Sequence, residues 1–295
     1  MAHLHVNFLK SLVAIGIEEK NKFRCSATGF LIGFIAKNSK DPAKRQFWVF
    51  LVTNRHVFHD KKYVHLRFNT KEGRIKTFKQ SLFFFGRNRD KRWLAHKSER
   101  VDLALLNINP NILLQHSIDF IPLPEETFAY IRNFKKIGIE VGDAVYVLGF
   151  PLGISGNIQN YPCVKWGILS RIDREILKDT KSFLIDSSVF PGNSGGPVIY
   201  RPTIVRLDKT VAVDKPYLLG VVSKYLPYQE MLYTHQTTPP SVVSSLQENS
   251  GLSFVVPMDF IRQIFRNWKK EKKKLIGTQR QPEREASQPE IRARV

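Results

Sequence analysis

Residues 191–197 read Pro191-Gly192-Asn193-Ser194-Gly195-Gly196-Pro197 and sit between two apolar, strand-like runs. A serine with glycine nearby on both sides is open to close approach by a substrate backbone. Small neighbours also let successive N–H groups point into one concavity able to hold a developing oxyanion. The same composition suits a tight hairpin, since glycine takes positive φ without a steric cost. A serine hydroxyl is a weak nucleophile and needs a base. Of the eight histidines, His56 follows the apolar run Leu51-Val52-Thr53 through Asn54-Arg55, a setting that His59, His65 and His96 lack. The base in turn needs a carboxylate to hold its tautomer. Asp102 stands at the mouth of Leu103-Ala104-Leu105-Leu106, where partial desolvation demands a partner. It reads alternatively as a turn residue or as an ion pair with Arg100. Each feature alone is weak. Together, in the order His, Asp, Ser and each in its matching context, they point to nucleophilic hydrolysis.

Such a site needs strands to hold it. Apolar runs at 27–36, 47–52, 101–108, 143–149, 164–172, 183–186, 197–200 and 218–225 are strand-sized, and 63–68 alternates apolar with polar. Many short strands bounded by Gly, Pro, Asn and Asp imply an all-β sandwich or barrel. Residues 226–251, polar and carrying Pro239-Pro240, read as a long loop. Between Asp259 and Lys270 the residues Phe260, Ile261, Ile264, Phe265 and Trp268 share one helical face, with Asp259 as the expected N-cap. The charged stretch after Lys274 reads as a disordered tail.

The chain has 295 residues, 42% hydrophobic and 12% aromatic, enough for about two lobes and a substantial core. Two cysteines are too few for a disulfide framework or a Cys-based zinc cage. Cys25 and Cys163 read as reduced thiols in strands. No apolar run approaches the ~18 residues of a membrane span, and no signal-peptide pattern is visible, so a cytoplasmic location is expected. The net charge is +20. Residues 262–295 hold eleven Lys and Arg against four Glu, and the densest internal cluster is Arg87, Arg89, Lys91, Arg92, Lys97 and Arg100. Nucleic acid or another anionic partner is one reading of the basic tail, a solvated surface the other.

Thr53-Asn54-Arg55-His56-Val57, Val101-Asp102-Leu103-Ala104-Leu105-Leu106 and Gly192-Asn193-Ser194-Gly195-Gly196-Pro197 resemble the three catalytic blocks of chymotrypsin-fold serine peptidases. The bacterial high-temperature-requirement proteases and glutamyl endopeptidases are the nearer likeness, and it extends over about residues 25–270. Val147-Leu148-Gly149-Phe150-Pro151-Leu152-Gly153, Gly167-Ile168-Leu169-Ser170 and Gly251-Leu252-Ser253-Phe254-Val255-Val256-Pro257 carry it further.

The resemblance implies two antiparallel six-stranded β-barrels with the site between them and a C-terminal α-helix. The lobes would span 20–125 and 140–257, the helix 258–274 and the tail 275–295. It implies Ser194 as nucleophile, His56 as base, Asp102 as its orienting carboxylate, and the N–H groups of Gly192 and Ser194 as the oxyanion hole, with no metal or cofactor. Substrates would be proteins or peptides, bound at Ser188, at the base of the primary pocket, and along an edge strand over 221–224 that includes Val222 and Ser223. Ser188 is not acidic and the strand has no histidine, so a small or medium uncharged residue is expected before the cut. A peptide-binding (PDZ) domain of the high-temperature-requirement kind is not expected after the helix. The competing reading is a catalytically idle β-barrel module that binds peptides or polyanions.

Overall fold

The computed structural model describes residues 4–20, 22–41, 45–84, 90–203, 213–234 and 241–279, without the side chains of 232–234, 241–243 and 274–279. Arg87, Arg89 and the end of the predicted tail, 280–295, lie outside the described residues.

Eight strands form the first sheet: β1 (Leu12–Glu19), β2 (Lys22–Lys37), β3 (Gln46–Thr53), β4 (Tyr63–Asn69), β5 (Ile75–Ser81), β6 (Trp93–Ala95), β7 (Ala104–Ile108) and β8 (Leu123–Pro124). Their order is β5-β4-β1-β2-β3-β7-β6, with β8 parallel to β2. Six more make a closed barrel: β9 (Ala144–Gly149), β10 (Cys163–Arg171), β11 (Phe183–Asp186), β12 (Pro197–Tyr200), β13 (Tyr217–Thr234) and β14 (Ser241–Pro257), ordered β10-β11-β14-β13-β12-β9. The all-β class and the terminal helix agree with the sequence reading. The two lobes are unequal, one a closed six-stranded barrel and the other a curled eight-stranded sheet.

Short helices punctuate the strands: α1 (Val6–Lys10), α2 (Arg55–Phe58), α3 (Pro110–Gln115), α4 (Phe134–Ile137) and α5 (Arg174–Thr180). The last helix, α6, runs Met258–Gln279, five residues past its expected end. None of the described helices is long and apolar enough to cross a membrane.

In the middle of the first sheet β2 and β3 are apolar on both faces, which is why 27–36 and 47–52 read as continuous runs rather than alternations. On β2 and β3, Leu31, Val49 and Leu51 point into the first lobe's own core. Phe30, Ile32, Phe34, Phe50 and Val52 point the other way, into a cluster shared with Leu148, Phe150, Leu218 and α6. A third cluster, with Val147, Phe183, Ile185 and Tyr200, fills the barrel. The α6 face packs as its spacing predicts. Phe265 stacks on Phe34 with centroids 3.7 Å apart, and Trp268 meets Trp48 and Phe50 edge-on at 5.2 Å. Asp259 is not the N-cap. It lies inside the first turn, where Oδ2 accepts the Ile131 N–H at 2.9 Å and ties α6 to the connector between the lobes.

The largest correction concerns residues 226–251. Of these, 226–234 and 241–251 extend β13 and β14 into a paired ribbon from Pro227↔Asn249 to Thr234↔Ser241, and 235–240 lie outside the described residues. Its described side chains are mostly exposed on both faces. A ribbon with nothing packed on either face has no buried side to impose period-two alternation, so its sequence resembles a loop.

Candidate active site

His56 lies on α2, which turns off the end of β3. Thr53 Oγ1 donates to Thr28 O at 2.8 Å and anchors the strand end. Val57 and Phe58 are buried and fix the helix against the core, leaving the His56 ring half exposed. Asp102 sits between two fully buried residues, Val101 and Leu103. The Asn54 side-chain amide donates to its carbonyl at 2.8 Å, so the residue two before His56 also holds the backbone of Asp102.

These devices bring the two side chains together. His56 Nδ1 and Asp102 Oδ2 are 2.7 Å apart, and the His56 backbone N–H donates to Oδ1 at 3.0 Å. Beside an ionised carboxylate Nδ1 carries the proton, which leaves Nε2 as the basic nitrogen. A third donor completes the carboxylate's shell: Ser223 Oγ, at 2.7 Å from Oδ2. Burial alone would raise the Asp102 carboxyl. The bonds and charge from His56 and the bond from Ser223 outweigh it and hold the pKa below the ordinary carboxylate value.

Ser194 is presented by a turn that requires glycine. Gly192 has φ +100°, and a Cβ there would lie 2.2 Å from Phe150 O. Gly195 has φ +86°, and its Cβ would lie 2.1 Å from Thr28 O. The turn is tied down by Thr28 N–H to Ser194 O and Gly195 N–H to Val222 O, both 2.9 Å, and by Thr28 Oγ1 to Gly192 O, 2.6 Å. Among the described residues the Gly192 and Ser194 N–H groups have no acceptor. Ser194 Oγ donates to Ser223 O at 3.3 Å, and no hydrogen bond joins it to the His56 ring.

The other predicted substrate residues divide. Ser188 is exposed, its Oγ 3.9 Å from where a Cβ on Gly251 would lie, and its carbonyl accepts from Lys165. Val222 does not offer the edge expected of it. It is fully buried, and its N–H and C=O are both engaged, with Gly196 and Gly195. The unpaired edge of β13 therefore begins at Ser223, whose hydroxyl serves Asp102.

Sequence reasoning missed that second role, and it missed Thr28, whose hydroxyl bridges Gly192 O and the Phe150 N–H. Neither carries a local signal, since the partners lie more than a hundred residues away. Cys25 is buried, with its thiol pushed up to about 11 by burial, and is no competing nucleophile.

His56, Asp102 and Ser223 open onto a cleft of about 570 Å³ that is also lined by Lys224, Arg100 and Thr180. No group of three or more His, Cys, Asp or Glu among the described residues could hold a metal ion.

A curled sheet and a closed barrel sharing a cleft define a two-lobed β-protein of the chymotrypsin-like class. Residues 27–202 match the trypsin-like peptidase domain, and the chain belongs to that family. Among solved structures, the apo MamO protease domain from Magnetospirillum magneticum is similar with a TM-score of 0.46 and 15% identity, over 88% of this chain and 98% of that one. No curated protein matches.

Proposed function

We propose that this chain is a serine endopeptidase that cleaves peptide bonds through an acyl-enzyme on Ser194. The observation that supports it is the 2.7 Å contact between His56 and Asp102, which leaves Nε2 unbonded in a cleft whose wall includes Ser223, the residue whose carbonyl receives the Ser194 hydroxyl at 3.3 Å. The Ser194 hydroxyl rests on Ser223 O, the first carbonyl on the free edge of β13. An incoming substrate pairs with that edge, its N–H takes the Ser223 carbonyl, and the displaced hydroxyl turns to His56 Nε2. Hydrogen bonds of this kind tighten only when the complex forms.

Ser194 Oγ then attacks the scissile carbonyl while its proton passes to Nε2. The oxyanion is received by the N–H groups of Gly192 and Ser194, each worth about 3 kcal/mol to the transition state. Collapse expels the amine with the proton from His56. Water, deprotonated by the same nitrogen, releases the acid and restores the hydroxyl. The residue before the cut enters beside Ser188 and Gly251, where a small or medium uncharged side chain is preferred. A peptide library that favours Arg, Lys or Glu there would reject this preference.

The Ser194–Ser223 contact also favours a second reading, an idle module that binds peptides in the same cleft without turnover. A fluorophosphonate probe separates the two. In the full chain it labels Ser194 covalently, and labelling is lost in Ser194→Ala and sharply slowed in His56→Ala. An unlabelled wild-type protein that still binds peptide supports the module.

An anionic partner on the C-terminal side is favoured by Arg266, Lys269, Lys270 and Lys273, which line one shallow groove on α6. With the Lys and Arg residues that follow in the sequence it predicts salt-sensitive binding that is lost on truncation at Lys270. The two unbridged cysteines suit a reducing, cytoplasmic setting.

A further inference from the structure

Arg67, on β4, is 4% exposed and has no carboxylate partner among the described residues. A buried guanidinium is costly unless its donors are used, and here they are spent across the lobe boundary. Nε donates to Asn160 Oδ1 at 2.7 Å, and Nη2 to Ser155 Oγ at 2.5 Å and Gly156 O at 3.0 Å. The bonds are returned: Asn160 Nδ2 donates to Arg67 O at 2.8 Å, and Asn160 exchanges backbone bonds with the Asn69 side chain at 2.6 and 3.1 Å. The guanidinium lies over the Phe23 ring, 4.4 Å from its centroid.

The partners of Arg67 belong to one segment, residues 150–162, which joins β9 to β10. Its other end lies against the serine turn. The Leu152 N–H donates to Pro191 O at 2.6 Å, and Phe150 O lies 2.2 Å from the place a Gly192 Cβ would occupy. Leu152 holds φ +55°, an uncommon conformation for a residue with a side chain, and that side chain is 66% exposed. No packing of its own explains the conformation. Such backbone persists where its surroundings over-determine it, and the surroundings here are the two anchored ends.

We propose that Arg67 is a positioning residue: by strapping residues 150–162 to β4 it fixes the Gly192 turn whose N–H groups receive the oxyanion. This rests on the peptidase reading above and adds a residue remote from the reacting atoms.

The test uses the full chain with one peptide substrate, a peptide aldehyde whose adduct occupies the oxyanion site, and the matching peptide alcohol, which forms no adduct. Arg67→Met is expected to lower kcat by about 10–100-fold, less than the loss of a whole oxyanion donor. KM should stay within about twofold, as for a contact used only in the transition state. Aldehyde affinity should fall with kcat and alcohol affinity should hold. Arg67→Lys should restore only part, because an ammonium cannot make the forked set of bonds. An unchanged kcat, a rise in KM alone, or equal losses of aldehyde and alcohol affinity would overturn the inference. Should Arg67→Met fail to fold, Asn160→Ala and Ser155→Ala, each removing part of the strap, decide it by the same readouts. A wild-type chain that neither cleaves peptides nor reacts with fluorophosphonate defeats the peptidase reading; an active wild-type beside an unaltered Arg67→Met defeats the strap alone.

Discussion

The Ser223 hydroxyl donates to Asp102 Oδ2 at 2.7 Å, the same oxygen that faces His56 Nδ1 at 2.7 Å. Its carbonyl meanwhile receives the Ser194 hydroxyl at 3.3 Å. One residue thus touches both ends of the site, through its side chain at one and its backbone at the other. Ser223→Ala removes only the first contact. A hydrogen bond to a charged group is worth ~1.5–3 kcal/mol, so kcat should fall about tenfold or somewhat more. Fluorophosphonate labelling of Ser194 should persist. Steady-state kinetics beside labelling checks this, and unaltered kcat would mean that Asp102 does not depend on the hydroxyl.

The depressed Asp102 pKa carries a stability signature. A carboxyl whose folded pKa lies below its unfolded value of ~3.9 favours the folded state above that value. The contribution fades as pH falls through the folded pKa, where both states are protonated. Thermal unfolding of wild type and Asp102→Asn should therefore differ most near neutral pH and converge under acid conditions, below about pH 4. A gap that widens on acidification would contradict the origin given for the shift.

Gly192 combines a positive φ with a backbone oxygen where its Cβ would go. Gly192→Ala should force the turn apart and misplace an oxyanion donor, lowering kcat by ~100-fold or more. Gly142 provides the comparison, since it has φ +94° but nothing within 4 Å of a Cβ. Gly142→Ala should lose a little stability and leave kcat intact. Equal kinetics in the two variants would show that close approach at Gly192 has no catalytic consequence.

The Phe34–Phe265 stack fastens α6 to the first lobe. Truncating a buried phenylalanine costs about 3–5 kcal/mol, so Phe265→Ala should lower the melting temperature by several degrees. Because the same cluster contains Phe150 and Leu148, the loss should cover the molecule as one unit rather than a frayed helix. Two separate calorimetric transitions would indicate that the helix docks independently.

Local patterns in the sequence were enough to name His56, Asp102 and Ser194, the glycines around the serine, the strands that carry them and the apolar face of α6. Each is written into a few consecutive residues: a glycine where φ must be positive, a carboxylate at the mouth of an apolar run, a 3.6-residue repeat. Local patterns misread residues 226–234 and 241–251, because a ribbon exposed on both faces has no buried side to impose a period. The family resemblance put Val222 on the substrate edge, although its backbone groups continue the β12–β13 pairing and are bonded to Gly195 and Gly196. The contacts made by Ser223, Thr28 and Arg67 join residues from about ninety to more than a hundred and sixty positions apart. Their partners are selected by how the two lobes lie against each other, and no residue near them in the chain encodes that choice. Only folding could decide it.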